Sequence, residues 1–588
     1  MNHPRILRPF YGGCSQLIDP SNLFLLITIL LIAIVSGRFL APYITRVFSL
    51  SPSRLDKVLN PIEKGIYRLI SVDPARGMDW KEYFLAALIV NIFQMALAFV
   101  IFAFQGVLPL NPQGFPGLSW DLAFMQVISF GTNTNLQHYN GEGNCVQLPN
   151  CAALTPGVPG LSYLSQMMAV QFLQFTSAAT GICAAVAMIR GFVAHSKDLG
   201  NFYVDFTRSL TRILFPLCFV ASLVFVGLGV PQTLTGYQVF FTVESAATRA
   251  TQTILVGPVA SLVSIMQLGT NGGGYYGANS AYPFQNPNPA SDIFQIFLML
   301  LIPTTLCFVF GQLIGKKRET RPILWGAYAL FALDLLIAFT PNFPVVGPGM
   351  EVRFGGFFSV FWTVVTTAVT TGSVNASLSG LNPFVILSAF NGMLIQATPG
   401  GKGVGVMYMV MFIILTVFIV GLMSGRTPEY LGLKITARDV KLVMIAFLVH
   451  PVIVLVPTVL AYSTGATSAI GVGPNSIGFT KIFYEFTSAA ANNGSDFLGA
   501  SANTPFFNIS TAIVMFLGRF APIGLLLSLG GSMINRKRLT TEAGVRTDSP
   551  LFALILVGSI LVLALLTFFP FLALGPILEF FQGRMNGF

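Results

Sequence analysis

The sequence predicts an all-α polytopic membrane protein that crosses the bilayer ten times and contains a fourfold internal repeat. Of its 588 residues, 54% are hydrophobic and only 9% are charged, whereas a soluble globular protein carries about 25% charged residues. Ten apolar segments approach or exceed the roughly 20 residues that a transmembrane helix needs. Four shorter apolar stretches each lead into a polar turn, and an internal repeat of this kind decides the architecture.

The ten long apolar segments are distributed along the whole chain. We predict spans at residues 21–46, 84–107, 163–189, 210–231, 291–315, 323–341, 403–424, 439–462, 507–531 and 550–577. No convincing small-residue cleavage site follows the first segment, so we interpret it as a retained span rather than a signal peptide.

Basic residues are concentrated in alternate connections between the predicted spans. The connections after spans 1, 3, 5, 7 and 9 hold most of the Lys and Arg residues, including the runs 316–318 and 536–538, whereas residues 108–162 contain none. Basic connections face the cytoplasm, so we expect both termini outside, although Arg5 and Arg8 run against this orientation. The formal charge of +10 therefore indicates cytoplasmic loops rather than a nucleic-acid partner.

Each of the four connections that are poor in basic residues contains a half-length apolar stretch and then a polar turn. The stretches and their turns are 120–130 with GTNTNLQ (131–137), 254–268 with GTNGGG (269–274), 357–369 with TTGSVN (370–375), and 479–490 with ANNGSDF (491–497). Irregular backbone at membrane depth persists only where it is buried in protein or lines a water-filled cavity.

Backbone carbonyl groups in such turns can replace the water shell of a cation. Glycine tolerates a positive φ and so lets successive carbonyls face inward. The half-helix before each turn would point its partly negative C-terminus at the ion. The pattern therefore predicts a cation filter built from four similar, non-identical segments of one chain.

Three other interpretations of these residues compete with a filter. The segments could be four external turns, since Asn, Gly, Ser and Thr are common turn residues. GTNGGG could be a phosphate-binding loop, but no Gly-Lys-Ser/Thr follows it, and GQLIGKK (311–317) has the wrong spacing. An intramembrane enzyme using Asp334 or His450 would need a paired nucleophile and base or a metal-ligand spacing, and the sequence offers neither.

At these turns the sequence resembles the potassium-binding A subunit of the Kdp complex, a bacterial ATP-driven potassium importer. The resemblance covers essentially the whole chain and is carried by LPLNPQGFPGLSWDLA (108–123), TNTNLQ (132–137), GPVAS (257–261), LGTNGGG (268–274), ANSAYPFQNP (278–287), GRTPEYLGLKI (425–435), ANNGS (491–495), GRF (518–520) and LTFFPFLALGP (566–576).

The resemblance implies a fold of the potassium-channel-like superfamily, with four pseudo-fourfold helix–pore-loop–helix repeats and two extra helices. The division that follows is 1–83 for the first extra helix and its cytoplasmic loop, 84–200, 201–318, 319–437 and 438–535 for the four repeats, and 536–588 for the last extra helix.

The resemblance also implies which residues hold the ion. The filter residues carried over are Thr132, Asn133, Thr134 and Asn135, with Gln137 lining the mouth; Thr270, Asn271, Gly272 and Gly273; Thr371, Gly372 and Ser373; and Asn492, Asn493, Gly494 and Ser495. Arg426 matches an arginine near the base of the pore, where a cation would hinder straight-through leakage by repulsion. Arg426 is equally well explained as a cytoplasmic loop arginine.

A family member would select K⁺ from outside and pass it to a P-type ATPase partner. The implied partners are the catalytic B subunit, the C subunit and the small F subunit, in the bilayer of the bacterial plasma (inner) membrane. The chain has no DKTGT phosphorylation loop and no nucleotide motif, so ATP hydrolysis is expected on another chain, with K⁺ as the transported ion and no organic cofactor. The rival within transport is a Trk- or Ktr-like subunit driven by the membrane potential.

The sequence departs from the family pattern close to the filter. The charged QEAIK is replaced by LVSIM (262–266), an aromatic by Leu136, MHDS by NASLS (375–379), a Glu by Gln396, and an Ala by Asp496. These changes bear on ion affinity and ion preference.

The remaining polar and sulfur-containing residues give weaker signals. Cys145 and Cys151 lie in an external loop, where a disulfide and two free thiols remain equally open. We expect Cys183, Cys218 and Cys307 to be packing residues. His138 is expected to be a solvated loop residue. Asp334 needs a partner within its span or lies at the end of the helix.

Overall fold

The computed structural model is a bundle of long helices. It describes residues 19–585 apart from 54, 144–159, 195, 242–250, 341–348, 535 and 539–544. Within this part of the chain, ten helices are long and apolar enough to cross a membrane. The chain is therefore a multi-pass membrane protein, and the predicted fold class is confirmed.

All ten predicted spans are found, with ends displaced by up to eight residues. Spans 1 to 10 are Pro20–Phe48, Trp80–Phe104, Tyr163–Gly191, Phe202–Gly227, Pro289–Leu313, Lys317–Ala338, Val404–Met423, Ala437–Ser463, Pro505–Ile534 and Pro550–Gln582. Span 4 begins eight residues before the prediction because Asn201 accepts hydrogen bonds from the nitrogens of Tyr203 and Val204, and a polar cap of this kind starts a helix.

The spans form an inner and an outer set. In spans 3, 5, 7 and 9, between 67% and 89% of the most apolar window is buried, whereas in spans 2, 4, 6 and 8 the share is 33% to 44%. Each repeat therefore contributes one inner and one outer helix. Spans 1 and 10 are the least buried, at 22% and 28%, and span 1 packs mainly along span 5 at the periphery.

The four half-length apolar stretches are helices. Half-helices 1 to 4 are Trp120–Gly131, Val259–Leu268, Gly355–Ala368 and Ser476–Ala490. The second begins five residues later than predicted. Residues 251–254 form a strand there, paired with residues 238–241 in an antiparallel hairpin, and Pro258 precedes the helix.

The sequence did not predict three smaller elements. Pro383–Ile395 forms a further buried half-length helix between half-helix 3 and span 7. Asp56–Leu69 is an amphipathic helix in the first basic connection, and Arg212 of span 4 holds it by contacting Glu63 and Asp56. A short hairpin pairs residues 429–430 with 433–434.

Candidate ion filter

The same backbone hydrogen bond recurs at the end of each half-helix. The backbone nitrogens of Thr134, Asn271, Thr371 and Asn493 each donate to the carbonyl oxygen five residues earlier, over 2.7 to 2.9 Å. These four residues therefore occupy equivalent positions, although two are threonines and two are asparagines. The bond turns each strand back toward the half-helix that precedes it.

The residue before each of these positions has a left-handed backbone. Asn133, Thr270, Thr370 and Asn492 all have φ between 37° and 66°. Thr370 is thus the equivalent of three predicted filter residues, and sequence reasoning missed it. Further along, Gly372 and Gly494 also take a positive φ, as predicted for glycine, and Asn135 takes one in the first strand. Asparagine tolerates this conformation better than most residues.

The four strands converge on one point. A Cβ atom built on Gly272 would lie 2.7 Å from the carbonyl oxygen of Thr371, 2.8 Å from that of Asn493 and 3.0 Å from that of Thr134. These oxygens belong to equivalent positions in the other three strands. Carbonyl groups from separate segments of one chain therefore face a common space next to a residue that lacks a side chain.

Amide side chains connect neighbouring strands. Asn133 donates to the carbonyl oxygen of Thr270 over 2.7 Å, and Asn135 donates to Oδ1 of Asn271 over 2.9 Å. Asn492 donates to Oγ1 of Thr134 over 2.9 Å. All of these residues are buried. Since a buried polar group is costly unless it is hydrogen-bonded, this network holds the strands in a fixed arrangement.

A second set of contacts supports the outer half of the filter. Gln137 bonds both the nitrogen and the oxygen of Gly274 over 3.2 Å, and Gln174 of span 3 donates to the carbonyl oxygen of Gly273 over 2.8 Å. The indole nitrogen of Trp362 donates to the carbonyl oxygen of Ser373 over 2.7 Å. The carbonyl oxygens of Gly273, Gly274 and Ser373 therefore accept hydrogen bonds from protein side chains.

The structure brings the predicted filter residues together. Thr132 belongs to the support, because its hydroxyl contacts that of Thr134 over 2.8 Å. Ser495 also belongs to the support, since its hydroxyl contacts the hydroxyl of Tyr484 over 2.9 Å and donates to Oδ1 of Asn493. Cys145 and Cys151 lie outside the described residues.

Arg426 is not brought to the filter. Its side chain is exposed in the turn after Met423, at the far end of span 7. The start of that 20-residue helix adjoins the filter, so a rise of about 1.5 Å per residue puts Arg426 roughly 30 Å away. Its place near the base of the pore and its alternative role as a cytoplasmic loop arginine both stay predictions.

Two other cationic residues lie beneath the filter. The nitrogen of Lys402 donates to Oγ1 of Thr270 over 3.4 Å, and Arg519 donates to the carbonyl oxygen of Ser177 over 2.9 Å. A Cβ atom on Gly181 would lie 2.5 Å from the Lys402 carbonyl oxygen and 2.7 Å from Nη2 of Arg519. Both side chains are buried, and the Lys402 ammonium has no hydrogen-bond partner among the described residues.

His138 is buried rather than solvated, which corrects the sequence expectation. Nδ1 lies 2.7 Å from Oδ1 of Asn508, and Nε2 lies 3.1 Å from Oε1 of Glu485 in half-helix 4. The residue follows Gln137, so the chain leaving the filter contacts half-helix 4 and span 9.

The two side chains considered for an enzyme have separate partners. Asp334 is buried and accepts a hydrogen bond from Asn391, whereas His450 lies 3.0 Å from the amide nitrogen of Gln396. Among the residues that the structure describes, no group of three or more His, Cys, Asp or Glu side chains is arranged to hold a metal ion. Cys183, Cys218 and Cys307 are buried free thiols.

Glu142 is a buried carboxylate that links the loop after the first filter strand to the loop after the second. Oε2 of Glu142 accepts a hydrogen bond from the nitrogen of Gly277 over 2.7 Å, and Tyr237 donates to the Glu142 carbonyl oxygen over 2.8 Å. Burial raises the pKa of the Glu142 carboxyl to about 7.

Inner helices surrounding four convergent pore loops define a class of membrane transport proteins with a single-chain pore. The chain belongs to the Potassium-transporting ATPase A subunit family, KdpA, whose family model matches residues 26–581.

Two curated relatives carry the name potassium-transporting ATPase potassium-binding subunit. The one from Gloeobacter violaceus is 42% identical over 577 residues, covering 94% of this chain and 96% of the relative. The one from Caldanaerobacter subterraneus subsp. tengcongensis is 41% identical over 583 residues, covering 94% and 98%. Among solved structures, the potassium transporter TrkH from Vibrio parahaemolyticus aligns with a TM-score of 0.49 at 16% identity, covering 87% of this chain and 98% of TrkH.

Proposed function

We propose that this chain is the potassium-binding and translocating subunit of an ATP-driven potassium import complex. The observation that carries the proposal is the convergence of carbonyl oxygens from Thr134, Thr371 and Asn493 beside Gly272. Main-chain oxygens held in a fixed ring replace the hydration shell of a cation without needing a formal charge. The names of the two relatives support K⁺ as that cation.

The ion-binding set proposed here is the predicted filter with Thr370 added, except that Thr132 and Ser495 support the strands. A left-handed backbone occurs at the inner end of each strand and again at Asn135, Gly372 and Gly494. This conformation orients successive carbonyl groups toward the pore axis. The half-helices direct their C-terminal ends at the same space, and the partial negative charge there stabilises a cation.

Arg519 takes the part that the resemblance gave to Arg426. Its buried cationic side chain below the filter raises the energy of an ion on the inner side, because like charges repel strongly where water is scarce. Burial, and then the charge of Arg519, lower the pKa of the Lys402 side chain well below its ordinary value, so the barrier is assigned to Arg519. An ion bound in the filter would then leave sideways toward a partner chain instead of passing straight to the cytoplasm.

The family name supports a partner that hydrolyses ATP. We assign that partner as the P-type catalytic B subunit, with a C subunit and a small F subunit completing the complex in the bacterial plasma membrane. The distribution of basic residues supports external termini. The six-part division of the chain, with four repeats between two extra helices, fits the half-helix and span bounds.

The test is ion-dependent ATP hydrolysis by the purified complex, titrated with K⁺, Rb⁺ and Na⁺. We expect K⁺ to stimulate hydrolysis at the lowest concentration and Na⁺ to stimulate it weakly. Equal stimulation by all three ions, or none by K⁺, would reject the proposal. A chain that carries K⁺ across liposomes without its partners, driven only by a membrane potential, would favour the Trk-like alternative.

A further inference from the structure

A small cavity lies directly above the filter. It has a volume of about 210 Å³, and its lining includes Gln137, Gly372 and Gly494 from three filter strands together with Asp496. None of the described residues that line it is Lys or Arg. An ion entering the filter from outside passes through this space.

Asp496 presents a carboxylate to the cavity. Its Oδ1 accepts a hydrogen bond from the nitrogen of Gly499 over 2.9 Å. Among the described residues, neither Asp496 nor Glu485 forms an ion pair with Lys or Arg. The carboxylate is therefore held in position while its charge is not neutralised by a basic side chain.

Two buried polar atoms beside this carboxylate have no hydrogen-bond partner. Oε2 of Glu485, on a side chain that is fully buried, is one of them. The hydroxyl of Tyr139, which is 1% exposed, lines the same cavity and is the other. Native structures rarely leave such groups unsatisfied, and a bound ion is one of the explanations for an exception.

His138 contacts only one oxygen of Glu485. Its Nε2 lies 3.1 Å from Oε1 of Glu485, and its Nδ1 lies 2.7 Å from Oδ1 of Asn508. Oε2 of Glu485 therefore stays without a hydrogen-bond partner among the described residues.

We propose that Asp496, backed by Glu485, forms an outer site that holds an alkali-metal cation above the filter before it enters. The inference rests on the proposed filter, which supplies the mouth oxygens. The charged and titratable groups that face Asp496 are Glu485 and Tyr484 of half-helix 4, with His138 behind Glu485.

Occupancy of the outer site decreases with ionic strength, because salt screens exposed charges.

The experiment is a K⁺ titration of ATP hydrolysis by the assembled complex at low and at high ionic strength. We expect Asp496→Asn to raise the half-saturating K⁺ concentration at low ionic strength by about tenfold, the lower range of the effect of a charged cleft on local ion concentration. The increase should be smaller at high ionic strength. Asp496→Glu should behave like the unaltered protein.

Glu485→Gln provides a second variant in case Asp496→Asn does not assemble, and it should raise the same concentration by a smaller factor. Glu351→Gln is the matched control, because that external carboxylate already pairs with Arg353 over 3.0 Å. Identical K⁺ curves for Asp496→Asn and the unaltered protein at both ionic strengths would overturn the outer site.

The filter is tested separately in the same assay with Gly494→Ala. Altered discrimination between K⁺ and Na⁺ in Gly494→Ala, with no effect of Asp496→Asn, would retain the filter and reject the outer site. Unaltered discrimination in Gly494→Ala would reject the proposed function itself.

Discussion

Asn133 and Thr270 join the first two repeats through one short hydrogen bond. The amide nitrogen of Asn133 lies 2.7 Å from the carbonyl oxygen of Thr270, and its Oδ1 accepts from the hydroxyl of Ser177 over 3.1 Å. A filter strand is thus fixed both to its neighbour in the ring and to the inner helix of its own repeat.

Asn133→Ala should weaken the contact between the first and second filter strands. The substitution leaves the buried carbonyl of Thr270 without its donor, a loss of about 1–3 kcal/mol. We expect a lower melting temperature and weaker discrimination between K⁺ and Na⁺ in the ATP hydrolysis assay. Asn22→Ala, in peripheral span 1, is the control and should change neither. A variant that melts normally and still discriminates would contradict the bracing role of Asn133.

Gly494→Ala should distort the filter both through backbone strain and through a steric clash. Gly494 has a φ of 103°, which a residue with a Cβ adopts only at a cost of about 1–3 kcal/mol. The new methyl group would also meet the carbonyl oxygen of Thr134. We expect loss of K⁺-specific stimulation of ATP hydrolysis.

Gly558→Ala is the matched control for that substitution. Gly558 lies in span 10, and a Cβ atom there would meet nothing within 4 Å. Its complex should titrate normally with K⁺. If both alanine variants lost K⁺ specificity to the same extent, the effect could not be assigned to the filter.

Arg519→Met should open a leak. Removing this buried cation lowers the barrier to an ion below the filter, and a barrier about 1.4 kcal/mol lower corresponds to roughly tenfold faster passage. The measurement is ATP-independent K⁺ efflux from proteoliposomes that contain the complex. Arg426→Gln, at the far end of span 7, should leave efflux unchanged. The opposite result for the two variants would restore Arg426 as the barrier.

Glu142 should make the stability of the folded protein depend on pH. Its carboxyl has a pKa raised from 4.5 to about 7, so the folded state binds the proton more tightly than the unfolded chain. The stabilisation is complete below pH 4.5 and is lost as the pH rises through 7, an effect of roughly 3 kcal/mol.

Melting curves of the purified protein between pH 5 and pH 8 test this linkage. We expect the melting temperature to fall across that range and Glu142→Gln to flatten the dependence. A slope that persists in Glu142→Gln would assign the effect to another group.

The sequence was sufficient to predict the spans and the half-helices, because hydropathy and the length of the bilayer determine both. It also predicted which four turns would meet, since the polar residues at membrane depth have no other stable environment. The equivalence of Thr370 with Asn133 could not be read from the motifs. It depends on the hydrogen bond to the carbonyl five residues earlier, and the residue types at equivalent positions differ.

The sequence prediction was wrong where tertiary packing decides the environment. His138 has neighbours typical of a loop, yet half-helix 4 and span 9 supply its partners from more than 300 positions away in the chain. Lys402 lies in a glycine-rich segment that looks like a surface turn. A buried ammonium without a partner is too uncommon to predict from local sequence.

The hydrogen bond between Asn133 and Thr270 also shows how the ion affinity of a single-chain filter can evolve. In a symmetric assembly of four identical chains, a single substitution alters every quarter of the ring at once. Here each quarter is encoded separately, so mutation can adjust one ligand while the other three keep theirs. Selection can therefore change the affinity of the ring for its ion in small steps.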